Sequence, residues 1–349
     1  MATNLEPLIG TGIAYAPTSL PKTGEAVPVA PGILGVRLAL PFALDHVNVW
    51  LLADGDGWTV IDTGLADQRS RARWEELLAN ELGGGGVRRI VATHYHPDHI
   101  GLAGWLSRIT GAEFWTSRTE WLQAGWLSRD DSGSFVEAGR VFDRRAGLPA
   151  DLIDARAARG NAYRRRVVPP PTPYRRLCQG DHLIIDGSRW EVLIGRGHSP
   201  EMLCLWSSEK KVLIAADQIL PAISPNVSVW SMEPEADPLA EFIGSLERFR
   251  ALPEDCLVLP SHGRPFRGLH VRIAQLLAHH EERLERTLQA CAQPVTAAEI
   301  LPALFDRELD AHQLGFALGE AVAHLNHLLR RNELVRSGDA DGRFLYRRR

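Results

Sequence analysis

The sequence predicts an α+β protein: two β-sheets packed face to face, flanked by helices, with a small helix-and-hairpin unit at the C-terminal end. Three observations lead there. Strand-like runs dominate from Leu38 onward and are interrupted by helical stretches, an order that suits sheet-on-sheet packing under helices. The 349 residues exceed the roughly 250–300 at which one hydrophobic core stops growing, so a main domain with an appendage is expected. Past Pro294 the pattern changes to two helical segments and a hairpin.

Taken in order, residues 1–34 are rich in Pro, Gly and Thr with weak periodicity and read as an arm along an edge. Strands at 47–53 and 58–61 flank Asp54-Gly55-Asp56-Gly57, whose glycines accept the positive φ of a hairpin turn, and lead to Asp62-Thr63-Gly64. A helix over 67–82 stops at the glycines 83–86, and Ile90-Val91-Ala92 reads as a buried strand. Residues 100–109 read as helix and 113–116 as strand. Residues 120–176 look like an irregular insertion with helical pieces, many arginines and Pro169-Pro170-Pro171. Strands resume at 182–185, 190–194, 202–206 and 212–215, followed by a helix at 239–252 and a strand at 256–259. The main domain is thus 35–293. In 294–349, helices at 297–305 and 316–331 precede a hairpin of 334–336 with 344–346, an order that resembles a winged helix.

Composition narrows the function. The chain is 45% hydrophobic and 23% charged, ordinary for a soluble enzyme and unlike a disordered chain. Its 39 Lys and Arg against 43 Asp and Glu lack the global basic excess of a dedicated nucleic-acid binder. Cys178, Cys204, Cys256 and Cys291 form no C-x-x-C pair, which points to reduced thiols and a cytoplasmic location. No leader pattern and no apolar run of membrane-spanning length is read, so no membrane partner is expected.

The chemistry concentrates in Thr93-His94-Tyr95-His96-Pro97-Asp98-His99, three histidines and a carboxylate directly after a buried strand. Residues two apart in an extended segment face one side, so His94 and His96 can present imidazoles to one metal ion. Asp98 and His99, where the chain turns into a helix, face a second. His198 in Gly197-His198-Ser199-Pro200, Asp217 after a strand and His262 in Ser261-His262-Gly263 each stand where a strand hands over to a loop. Tyr95 and His46 read as packing residues, and His279, His280, His324 and His327 as structural or solvated positions on helices.

These residues resemble, in order, the ligands of the metallo-β-lactamase superfamily, and the resemblance spans residues 38–277. It implies a four-layer αββα sandwich. It further implies that His94, His96 and His198 bind one metal, that Asp98, His99 and His262 bind a second, and that Asp217 bridges them. The cofactors would be two divalent ions, zinc first, with iron and manganese as alternatives. Asp98 and Asp217 would take part in catalysis by a metal-bound hydroxide, which forms near neutral pH because zinc lowers the pKa of bound water to about 7. Asp62 matches a position beside the ligands from which a carboxylate orients an imidazole.

Within this superfamily the motif with Gly197-His198-Ser199-Pro200 resembles glyoxalase II and related acyl-thioester hydrolases, which implies thioester or ester hydrolysis. The expected partner is a small acyl substrate, such as a coenzyme A thioester. Arg156, Arg159, Arg164, Arg165 and Arg166, then Arg175 and Arg176, form either an anchor for such an anionic handle or a solvent-facing lid or homodimer contact. Asn226 and Trp230, downstream of Asp217, are candidates for shaping the acyl pocket. The C-terminal unit resembles the winged-helix extension of a lactamase-like endoribonuclease branch, so RNA or another phosphodiester is the alternative substrate. Residues 316–331 would then be the recognition helix, and Arg330, Arg331, Arg336, Arg343 and Arg347, Arg348 and Arg349 phosphate contacts or a solvated face. A metal-dependent regulator without hydrolysis is the third reading.

Overall fold

The structure, a computed structural model, describes residues 12–16, 18, 20–22, 24–306, 308–310 and 313–349. After β1 (Ala14–Tyr15) come β2 (Val27–Ala30), β3 (Ile33–Ala39), β4 (His46–Asp54), β5 (Gly57–Ile61), β6 (Val87–Val91), β7 (Glu113–Thr116) and β8 (Arg175–Arg176). Strands β2 to β8 form one mixed sheet in chain order, antiparallel up to β5 and parallel beyond it. The second sheet adds β9 (His182–Ile185), β10 (Ser188–Gly195), β11 (Met202–Ser207), β12 (Val212–Ala216), β13 (Leu257–Pro260) and β14 (Phe266–Arg267). Its order is β1-β14-β13-β12-β11-β10-β9, with β12 and β13 parallel.

Alternation along the strands sorts the core into three apolar layers. Trp50 and Leu52 of β4 face Leu203, Leu205, Ile214 and Trp190 between the sheets. Val47, Val49 and Leu51 of the same strand point the other way, onto α1 (Gln68–Glu76), α2 (Pro97–Ile100), α3 (Ala103–Thr110) and α4 (Arg118–Leu127). Met202, Cys204 and Trp206 of β11 point outward on the far side, towards α7 (Pro238–Phe249) and α8 (Leu269–Ala290). A strand buried on both faces loses its polar alternation, which is why β11 and β12 read as continuous apolar runs. Three apolar layers between four structural ones are the expected αββα sandwich.

The segment expected to be irregular is mostly helical: after α4 come α5 (Ser134–Arg145), α6 (Ala150–Ala157) and a 3₁₀ turn at Ala162–Arg165. Gly133, in left-handed backbone, and Pro149 divide it into short helices. The arm serves both sheets, β1 pairing with β14 and β2 with β3.

The tail forms α9 (Leu301–Leu304), α10 (Gln313–Arg330) and a hairpin of β15 (Leu334–Gly338) with β16 (Phe344–Arg348). It shares an apolar cluster with the second sheet, since Leu318, Ala321 and Leu325 of α10 pack in the same core as Phe242, Leu246 and Leu276. Residues 317–326 of α10 are all buried. A helix buried all round belongs inside a protein, and a recognition helix must expose a face. With residues 317–326 buried, α10 presents no open face to nucleic acid in this structure. Three arginines of the tail are also engaged: Arg336 meets both Glu235 oxygens at 3.0 Å, Arg343 pairs with Asp339 at 2.6 Å, and Arg330 donates to the Glu235 carbonyl at 2.7 Å. Among the described residues no helix is long and apolar enough to cross a membrane.

Candidate metal centre

Five chain crossings converge on one edge of the sandwich. Asp62 follows β5, the His94–His99 motif follows β6, His198 follows β10, Asp217 follows β12 and His262 follows β13. Parallel pairing of β5 with β6 and of β12 with β13 makes those strands deliver their loops to the same end. The sheets are tied there by Leu203 N–H donating to the Thr93 carbonyl at 2.9 Å and Asn48 N–H to the Ser261 carbonyl at 2.7 Å. Two of the non-glycine residues at positive φ stand at this edge: Asp62 and Ala216 hold φ of 63° and 47°, conformations that cost about 1–3 kcal/mol each and persist only where surroundings impose them. Gly197 has φ of 95°, and a Cβ there would lie 2.4 Å from the Pro238 carbonyl oxygen, so only glycine lets His198 turn inward.

All seven sequence-selected ligands meet. Their donor atoms form three overlapping groups, His94–His96–His198, His94–His99–Asp217 and Asp98–His99–His262, each within 4.8 Å. Asp217 Oδ2 stands 3.3 Å from His198 Nε2, 3.3 Å from His262 Nε2 and 3.5 Å from His99 Nε2. Asp98 Oδ2 stands 3.6 Å from His262 Nε2 and 3.7 Å from His99 Nε2. Asp217 thus lies between the two halves of the cluster.

The supporting hydrogen bonds fix which nitrogen is free. A carbonyl can only accept, so His198 Nδ1, 2.7 Å from the Asn226 carbonyl, carries its proton, as does His262 Nδ1, 2.7 Å from the His46 carbonyl. His99 Nδ1 donates to Asp62 Oδ2 at 2.8 Å. In each neutral ring the lone pair is then on Nε2, the atom that faces the cluster. Asp62 is itself held by Thr93, whose N–H and hydroxyl donate at 2.7 and 2.8 Å.

Buried polar atoms are normally hydrogen-bonded. Yet His96 Nε2, Asp98 Oδ2, His99 Nε2, His198 Nε2, Asp217 Oδ1 and His262 Nε2 are buried here without a hydrogen-bond partner. Burial and then the neighbouring His99, His96 and His198 hold the His94 imidazole well below its usual pKa, in the neutral form that ligates. Burial opposes ionisation of Asp217, but His262 and His99 hold it well below the usual carboxylate range. Burial likewise disfavours a charged His99, and Asp217, Asp98 and Asp62 overcome it, raising that group. The local field therefore calls for positive charge. Imidazole and carboxylate donors, orphaned and convergent in such a field, fit two divalent ions.

The model of the metallo-beta-lactamase superfamily matches residues 43–262, and that of the metallo-beta-lactamase-like C-terminal domain matches 284–349. The chain belongs to the metallo-β-lactamase superfamily. A crystal structure of a beta-lactamase domain protein from Burkholderia ambifaria superposes with a TM-score of 0.88 at 43% identity, covering 97% of each chain. A probable metallo-hydrolase of Bacillus subtilis, YqjP, is 25% identical over 313 residues, 85% of this chain and 92% of its own. The acyl-coenzyme A thioesterase MBLAC2 of Gallus gallus is 26% identical over 245 residues, 68% of this chain and 80% of its own.

This metallo-β-lactamase superfamily site also contains residues that the sequence did not single out. Glu120 of α4 is fully buried and accepts from Tyr95 N–H at 2.8 Å, Glu201 N–H at 2.7 Å and Ser199 Oγ at 2.9 Å. It clamps the loop of His96 to the loop of His198. Burial raises its carboxyl to about 7 against the pull of those donors. His46 does more than pack: besides its carbonyl on His262, its Nε2 accepts from Gly263 N–H at 3.0 Å. Asn226 is buried and supports His198 from behind, whereas Trp230 lines the adjoining groove.

Proposed function

We propose that this superfamily member is a zinc-dependent hydrolase of acyl thioesters, with simple esters as the near variant. The observation that carries the reading is the groove beside the ligands. A cavity of about 1100 Å³ begins at His198 and Tyr95 and runs along Leu122, Trp126, Trp230 and Met232. Leu122 and Trp126 are 53% and 44% exposed within it, uncovered apolar surface beside the charged Arg196, Glu233, Glu241 and Arg330 that also line the cavity. An acyl chain lies there with its carbonyl at the ligand cluster. The similarity to an acyl-coenzyme A thioesterase supports the same choice.

In this reading His94, His96 and His198 hold one ion, Asp98, His99 and His262 the other, and Asp217 lies between. When bound, the ions supply Lewis acidity for the carbonyl and an activated water at neutral pH. The chain's own residues do the rest. Asp62 and the Asn226 and His46 carbonyls keep the His99, His198 and His262 imidazoles in their ligating form, and Glu120 fixes the spacing of the two loops. The leaving thiol needs little acid assistance, its pKa being near 8.5. We read the inward-turned tail as a winged-helix unit recruited to close the groove, because Ser228 Oγ donates to the Phe316 carbonyl at 3.1 Å and Trp230 meets the Phe316 ring edge-on at 5.7 Å.

The test is thiol release from a panel of acyl thioesters beside cleavage of a structured RNA, using chelated protein and the same protein reloaded with zinc, iron or manganese. Metal-restored thiol release that rises with acyl length and falls in Trp126→Ala supports the proposal. RNA cleavage without thiol release overturns it.

A further inference from the structure

Several of the insertion's arginines are already engaged. Arg156 Nε pairs with Asp143 at 2.7 Å, Arg164 lies 3.7 Å from Asp131, Arg175 3.2 Å from Glu113, and Arg165 donates to the Arg159 carbonyl at 3.0 Å. Arg166 differs. Its guanidinium stacks over Phe42 at 4.9 Å, half-buried, and among the described residues no carboxylate comes within ion-pair distance of it.

Its position is set by the metal edge itself. The Arg166 carbonyl accepts from Ala66 N–H at 3.0 Å, just beyond the Asp62 loop, and Val168 N–H donates to the Gly101 carbonyl at 2.8 Å, just beyond His99. Tyr163, three residues earlier, stacks on Tyr95 with ring centroids 6.2 Å apart and donates its hydroxyl to the Tyr95 carbonyl. The segment 163–166 therefore lies against the motif, and Phe42, under the guanidinium, belongs to the loop between β3 and β4 that leads to His46, whose carbonyl holds His262. The groove opens beside His198, which stands in a different donor group from Asp98.

We propose that Arg166 is a specificity-determining residue that receives an oxyanion, a carboxylate or sulfonate, carried on the leaving-group side of the substrate close to the scissile bond. Substrate then lies in one direction, its apolar arm in the groove at His198 and its anion against Arg166. A planar guanidinium already stacked on an aromatic ring gives up little freedom on binding, and partial burial strengthens a charge-assisted bond. The inference places its substrate on the hydrolase reading of the metal centre, and the test separates the two.

Zinc-loaded wild type, Arg166→Gln and Arg166→Lys are compared on the decanoyl thioesters of mercaptoacetate and of mercaptoacetamide, which differ only in charge. Binding of the unreactive S-decyl thioethers of the same two thiols is measured by calorimetry. Wild type is expected to favour the anionic member of each pair roughly 10- to 100-fold, the worth of a hydrogen bond to a charged group. Arg166→Gln removes that preference while leaving the neutral member within about twofold, and Arg166→Lys restores part of it. Equal loss on both members, or an unchanged preference in Arg166→Gln, overturns the proposal. If neither thioester is turned over yet the thioether preference depends on Arg166, the thioesterase reading fails and the anion site stands.

Discussion

Replacing Asp62 by Asn tests whether ligand orientation comes from behind the metal centre. The Asp62 Oδ1 accepts from Thr93 N–H at 2.7 Å, and Oδ2 accepts from the Thr93 hydroxyl and from His99 Nδ1, both at 2.8 Å. Asparagine tolerates the positive φ of this position, so backbone strain is unchanged. One acceptor, however, becomes a donor. With the amide nitrogen towards Thr93, a buried backbone N–H loses its partner, at about 1–3 kcal/mol. With the nitrogen towards His99, the imidazole must accept at Nδ1 and carry its proton on Nε2, the atom that faces Asp98 and Asp217. Loss of such a supporting partner lowers metal affinity by about 10- to 100-fold. Competition for zinc against a chelator measures that affinity, and urea unfolding of the chelated proteins measures the stability cost. Zinc affinity within about twofold of wild type would refute the claim that Asp62 orients His99.

Three further outcomes follow from the same structure. Glu120→Ala strips the acceptors from two backbone N–H groups and a hydroxyl between the ligand loops, and is expected to cost about 2–6 kcal/mol in urea unfolding, at about 1–3 per backbone donor; a loss under about 1 kcal/mol would contradict the clamp. Burial lowers His324 to about 4, so the unfolded chain takes up its proton first as pH falls below about 6.5, and stability is lost between there and about pH 4. Wild type should therefore lose about 2 kcal/mol more than His324→Gln between about pH 7.5 and pH 5, and parallel losses would exclude that origin. Removal of residues 294–349 uncovers Phe242, Leu246 and Leu276 and is expected to give aggregated protein by size-exclusion chromatography; a folded monomer would show the tail to be independent.

What the sequence revealed and what it hid have one physical cause. The ligands were legible because a metal needs several strong donors on few residues, and strands end abruptly at loops where His198, Asp217 and His262 stand. Glu120 was hidden because its partners lie 25 to 81 residues away and a lone Glu in a helix normally faces water. The support of His198 and His262 was hidden because backbone carbonyls of Asn226 and His46 provide it, and any residue type has a carbonyl. The tail misled for a different reason. Helix followed by hairpin suggested a nucleic-acid reader, and the burial of α10 was hidden because Glu320, His324 and Asn326 stand among its buried residues. In the insertion, charge alone could not distinguish Arg166 from arginines that merely pair with Asp143 or Glu113.

The central claim is that seven side chains hold two ions on which hydrolysis depends, and the most direct measurement is thiol release from decanoyl thioester by chelated protein titrated with zinc. Turnover absent without metal, rising to a plateau at two equivalents and missing in Asp217→Ala is the predicted result. Turnover that survives chelation, or that two equivalents of zinc, iron or manganese fail to restore in folded protein, would contradict the account.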